Sequence, residues 1–244
     1  MRINPQISRI LLGPLLLFCL GCSQGFDRNG IRQTLSEGQA PVVKDTEGSL
    51  SDVLAAKPQL PKRARLAVSF ENDFFWSGGE EVKQKILDGV NAATRNTPFV
   101  EVFAVRDFES NGRIRTASSE GPMYEQRKVA ARYSADAVLV VRGNYDDDRY
   151  ANPLVIFDIA TLSLSGLFLP SQQIDVLTML TASLWDVRNG YMYLTAEAEG
   201  LDRTTYPVYW GGDQRRKTVE GSRLAAVDAL IPELEKRLES VEIR

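Results

Sequence analysis

Residues 137–141, Ala-Val-Leu-Val-Val, form an unbroken apolar run. Five residues rich in branched side chains, with no polar alternation, fit a strand covered on both faces. Such a strand needs a packing layer on each side of its sheet, so the run points to an α/β architecture. The segments before it agree. Arg65-Leu66-Ala67-Val68-Ser69-Phe70 reads as a strand bounded by turn signals. Ser77-Gly78-Gly79-Glu80 has the spacing of a capping box, with Ser77 as N-cap. Val82, Ile86, Val90 and Ala93 then recur at helical spacing to about Thr94, and Asn96 and Pro98 stop that helix. Residues 99–105 alternate as a strand, residues 106–121 read as a polar loop, and Pro122 opens a helix reaching about Tyr133. The order is β-α-β-α-β.

Residues 174–187 read as a long strand. Arg188-Asn189-Gly190 carries the Asn-Gly pair of tight hairpins, whose two residues both accept positive φ, and residues 191–199 are the return strand. From residue 218 to about 241, Val227, Leu230, Leu234, Leu238 and Val241 line one helical face, with Pro232 as a kink site. The expected fold is a single α/β (α+β) domain over residues 63–244. It has a mixed sheet of about five strands, a hairpin in its C-terminal half and a C-terminal helix.

The chain of 244 residues has no histidine, and its two cysteines are Cys19 and Cys22. That removes Ser-His-Asp and Cys-His catalysis and histidine metal sites, and two thiols cannot build a four-thiolate site. No cofactor and no metal site is expected. Residues 1–21 read as a signal peptide: Arg2 and Arg9 precede an apolar stretch over residues 10–20 that falls short of the roughly 20 residues of a spanning helix. It ends in Leu20-Gly21-Cys22-Ser23, which resembles the lipobox of bacterial lipoproteins, although Cys19 stands where leucine is usual. The resemblance implies cleavage between Gly21 and Cys22 and acylation of Cys22. Ser23, rather than aspartate, resembles the class destined for the outer membrane.

Without Arg2 and Arg9 the chain holds 27 basic against 32 acidic residues, a net charge of −5, which argues against nucleic-acid binding. It would also have no disulfide. Residues 22–62 read as a flexible tether with a typical reach of about 35 Å.

Two further segments carry a resemblance. Tyr133-Ser134-Ala135-Asp136 with its apolar strand to Gly143, and Leu184-Trp185-Asp186-Val187-Arg188-Asn189-Gly190-Tyr191, resemble a group of α/β lipoproteins. The group comprises the rhombotarget lipoproteins and, more loosely, the curli-secretion-pore and penicillin-binding-protein-activator lipoproteins. The likeness covers about residues 63–241. It implies a non-enzymatic envelope lipoprotein that binds other proteins, and it supplies no catalytic residues.

Six segments are candidates for function. Residues 153–170 are the most apolar run after the signal, with Asp158 their one charge. They fit a buried core segment, or else an apolar flap that meets a membrane or partner. Phe74, Phe75 and Trp76 fold over the sheet or form an exposed partner-binding anchor. Asp146-Asp147-Asp148 reads as a solvated turn, because the spacing of a calcium loop is missing. Asp107 with Glu109, and Glu80 with Glu81, are the carboxylate pairs a glycoside hydrolase would need, but nothing singles them out. Gly211-Gly212-Asp213-Gln214-Arg215-Arg216-Lys217 reads as a loop with a basic face. The sequence thus points to an outer-membrane lipoprotein facing the periplasm, without enzyme activity, whose partners are the bilayer and envelope proteins. Self-association is left open. The alternative is a hydrolase of envelope polymers acting through carboxylates.

Overall fold

The computed structural model describes residues 25–37, 56–71, 79–105, 122–161 and 164–241. The elements are α1 (Arg28–Glu37), β1 (Ala64–Glu71), α2 (Glu80–Ala93), β2 (Phe99–Val105), α3 (Pro122–Arg132), β3 (Ala137–Ala151), α4 (Val155–Ala160), β4 (Gln172–Asp186), β5 (Met192–Tyr206) and α5 (Gly211–Leu238). Single 3-10 turns lie at Ser165–Leu167 and Val208–Trp210. One five-stranded sheet has the order β2-β1-β3-β4-β5. β1 pairs parallel with both β2 and β3. β3 and β4 run antiparallel: the Asn152 amide donates to the Ser171 carbonyl at one end, and the Val187 amide donates to the Asp136 carbonyl at the other. β4 and β5 are joined by five residues, too few for a parallel crossover. The result is the mixed α/β domain expected.

Its residues divide into two compact units. Of the described residues, the larger holds those within 28–145, 178–200 and 223–241; the smaller holds those within 25–27, 146–177 and 201–222. In the larger unit, alternate residues of β1 and β3 enter opposite cores. Leu66, Val68, Leu139 and Val141 join Ile86 and Val90 of α2 and Leu230 and Leu234 of α5. Ala67, Val138 and Val140 join Met123, Val129 and Ala130 of α3. The apolar run at 137–141 is therefore sealed on both sides, as its composition demands.

Several local expectations are corrected. The N-cap of α2 is Gly79 and not Ser77, which lies outside the described residues; Gly79 supplies no side-chain cap, and Glu80 pairs with Lys83 at 2.7 Å. Asp146, Asp147 and Asp148 are no turn but continue β3. Residues 211–217 are no loop but the first turns of α5. Within the stretch expected to be tether, residues 28–37 are helical, because Ile31 and Leu35 give α1 an apolar side that is buried. Arg28 and Arg32 of that helix both reach Glu199. The loop over residues 106–121 lies outside the described residues.

The hairpin forms where expected with a different turn. Gly190 has φ +70, but Asn189 stays at negative φ. The reason is Asp186, which is fully buried at the end of β4. Its Oδ1 accepts the amides of Arg188 (2.8 Å) and Asn189 (3.4 Å), and its Oδ2 accepts the Tyr193 hydroxyl (2.7 Å) and the Gln59 amide (3.2 Å). Burial first, and then the bond to Asp186, push the Tyr193 phenol well above its ordinary value. A raised pKa in the folded state means that the native chain holds this proton more tightly than the unfolded one. The contribution is complete below about pH 10 and is lost as pH rises through the folded value. Tyr193→Phe is therefore expected to cost about 1–2 kcal/mol at neutral pH and to flatten the alkaline loss of stability, read by urea unfolding from pH 8 to 11.

Candidate functional site

The smaller unit contains a segment built inside out. Leu154, Ile156, Phe157 and Ile159 of α4 and its N-terminal flank are exposed, as are Leu164, Leu167 and Phe168 after it; Phe168 is 81% exposed. The one acidic residue of the segment, Asp158, is 5% exposed. An amphipathic surface helix normally shows the reverse arrangement.

The inversion has a local cause. Asp158 sits at the one buried position of α4, and the hydroxyl of Thr161, the residue that ends the helix, meets the Ser165 hydroxyl at 2.8 Å. Asp158 Oδ1 accepts the Ser165 hydroxyl at 2.6 Å, and its Oδ2 accepts the Ser171 hydroxyl. Thr161 ends the helix by donating its hydroxyl to the Phe157 carbonyl at 2.8 Å, and its oxygen accepts the Ser165 amide at 3.1 Å. Asn152 closes the base: its side chain donates to the Pro170 carbonyl (2.6 Å) and accepts the Leu154 amide (2.9 Å). Hydrogen bonding is satisfied inward, and the apolar side chains are what remains outside.

The exposed surface extends to a second strip. Gly166 is buried, and a methyl group placed on it would sit 3.5 Å from Val208 Cγ2 and 3.6 Å from the Tyr209 ring. Val208 and Tyr209 are themselves exposed. They also line a cavity of about 540 Å³ with Arg149, Gln172, Tyr206, Gly211, Gly212 and Arg215. Its two guanidinium groups converge on Asp147, with Arg215 at 2.7 Å and Arg149 at 2.8 Å. Burial pushes the Asp147 carboxyl up, but the hydrogen bonds and charges of Arg215 and Arg149 outweigh it and hold the group below its ordinary range.

Among the described residues, the buried carboxylates are all engaged in structure. Asp175 takes Arg203 through two bonds of 2.9 and 2.7 Å, Asp158 holds the serines, and Asp186 holds the hairpin. The aspartates at 146–148 likewise spend their oxygens locally. Asp146 accepts the Asp27 amide (3.0 Å) and Asp148 the Gly25 amide (3.1 Å). Arg216 and Lys217 pair with Asp213 on their own helix. Cys22, Gly21, Phe74, Phe75, Trp76, Asp107 and Glu109 lie outside the described residues, and Glu81 is exposed on α2. Among the described residues, no helix is long and apolar enough to cross a membrane.

No family model and no curated protein matches the chain. Among solved structures it is similar to a minor lipoprotein from Acinetobacter baumannii, with 9% identity and a TM-score of 0.36 over 75% of this chain and 94% of that one. It is also similar to the PelC dodecamer from Paraburkholderia phytofirmans (11%, TM-score 0.33, 78% and 95%). A third similarity is to a neuraminyllactose-binding hemagglutinin homolog from Helicobacter pylori (11%, TM-score 0.40, 76% and 93%).

Proposed function

We propose that this protein is a lipid-anchored component of a bacterial envelope, held by an acylated Cys22, that works by contact at a membrane surface and not by catalysis. The observation that carries this reading is the exposed apolar platform fastened over Asp158. Exposed apolar surface of this kind marks sites that meet a membrane or another protein. The engagement of Asp158, Asp175 and Asp186 in structural bonds supports the non-catalytic part, since a carboxylate hydrolase needs acids free to face substrate. Ser23 after the cysteine favours the outer membrane, with the domain facing the periplasm, and envelope proteins are the expected partners.

Cys22→Ser is the direct test. Most of the protein is expected to leave the membrane fraction and to lose the mass of its acyl groups. An unchanged mass would show that Cys22 carries no lipid.

A further inference from the structure

We propose that the bilayer itself occupies the apolar platform, so that residues 154–161 and 164–168 lie in the headgroup and acyl boundary beside the lipid anchor. This rests on the reading of Cys22 as acylated. The first argument is reach. Gly25 and Asp27 are hydrogen-bonded to Asp148 and Asp146 at the far end of β3. Cys22 lies three residue steps before Gly25, a span of at most about 11 Å. Six residues lead from Asp148 to Leu154, at most about 22 Å more. The long tether expected before the domain therefore does not stand between the acyl chains and the platform. Gly25, Asp27 and the platform all belong to the smaller unit.

The second argument is chemistry. Between Asn152 and Ser171 the described side chains present no exposed charge, because Asp158 is turned inward. What faces outward is phenylalanine, leucine and isoleucine, led by Phe168, with Tyr209 offering an apolar ring and a polar tip. That is the side-chain set of a segment lying in a membrane interface. A helix of six residues cannot span a bilayer, but it can rest in one face of it.

The test places a photoreactive benzophenone side chain at Phe168 of the full chain, expressed with its signal, and at exposed Glu101 of β2 as a control. After irradiation of isolated envelopes, adducts are identified by mass spectrometry. Phospholipid adducts are expected at position 168, with about tenfold fewer at 101. Protein adducts in place of lipid at 168, equal lipid labelling at both positions, or no lipid labelling from a chain that carries acylated Cys22 would each overturn the proposal while leaving the anchor intact. A chain without acyl mass on Cys22 would overturn both readings. A second arm uses the Cys22→Ser chain and vesicles of phosphatidylethanolamine and phosphatidylglycerol. Its weak partition is expected to fall about thirtyfold in the Phe157→Ser, Phe168→Ser double variant, with an unchanged circular dichroism spectrum. Equal partition of the two chains would sink the proposal.

Discussion

Glu71→Leu is expected to destabilise the larger unit by about 3 kcal/mol, because it strands a buried cation. The parallel register sets Glu71 of β1 beside Arg142 of β3. The Arg142 side chain is 5% exposed, and its Nε pairs with Glu71. Its Nη1 donates to the Leu35 carbonyl of α1 at 3.5 Å, and its Nη2 has no partner among the described residues. One carboxylate thus balances the whole guanidinium. Glu71 is itself 29% exposed, which places the cost at the lower end of the range for broken buried pairs. Replacing both residues, Glu71→Leu with Arg142→Met, removes both charges and is expected to recover much of the loss. Urea unfolding midpoints decide it: a single variant within about 0.5 kcal/mol of the parent would mean that solvent, and not Glu71, balances Arg142.

Asp158→Ala is expected to unfasten the platform without unfolding the sheet. It takes the acceptor from the hydroxyls of Ser165 and Ser171, of which Ser171 is fully buried. An unpaired buried polar group costs about 1–3 kcal/mol, which falls on Ser171, while the half-buried Ser165 keeps its bond to Thr161 and adds less. The bonds lost are local to the smaller unit. Amide exchange over residues 154–168 should therefore accelerate by one to three orders of magnitude, while amides of β1 and α2 keep their protection. Asp158→Asn retains one acceptor oxygen and should fall between. Unchanged exchange over 154–168 in the alanine variant would show that Asn152 and Thr161 hold the segment alone.

The sheet was legible because its signals are local and mutually consistent. The run at 137–141, the 3.6-residue recurrence of Val82, Ile86 and Val90, and the Asn-Gly turn each name an element without help from the rest. What was not legible depends on partners distant in sequence. Asp146, Asp147 and Asp148 read as a turn on composition. They stay in β3 because Asp27, Arg215 and Gly25 supply donors from more than 60 residues away. Gly211-Gly212 reads as a loop because two glycines weaken a helix, yet the turn at Val208–Trp210 leads straight into α5. The platform was half legible. An apolar run of that strength suggests core, since burial is where such residues usually go. The contrary signal was Asp158, the one charge of the run, with Ser165 and Ser171 near it in sequence to donate to a carboxylate turned inward.

The two hydrogen bonds that the Gly25 and Asp27 amides donate to β3 also bear on affinity. A binding surface on a long leash must hold its target by its own strength. With Cys22 acylated as proposed, a surface kept within about 40 Å of the acyl chain meets the bilayer at an effective concentration near the millimolar range, set by geometry alone. Contacts too weak to recruit a free molecule then suffice to fix the orientation of a captive one. On the proposed reading, the clasp makes a handful of exposed side chains an orienting device for the smaller unit.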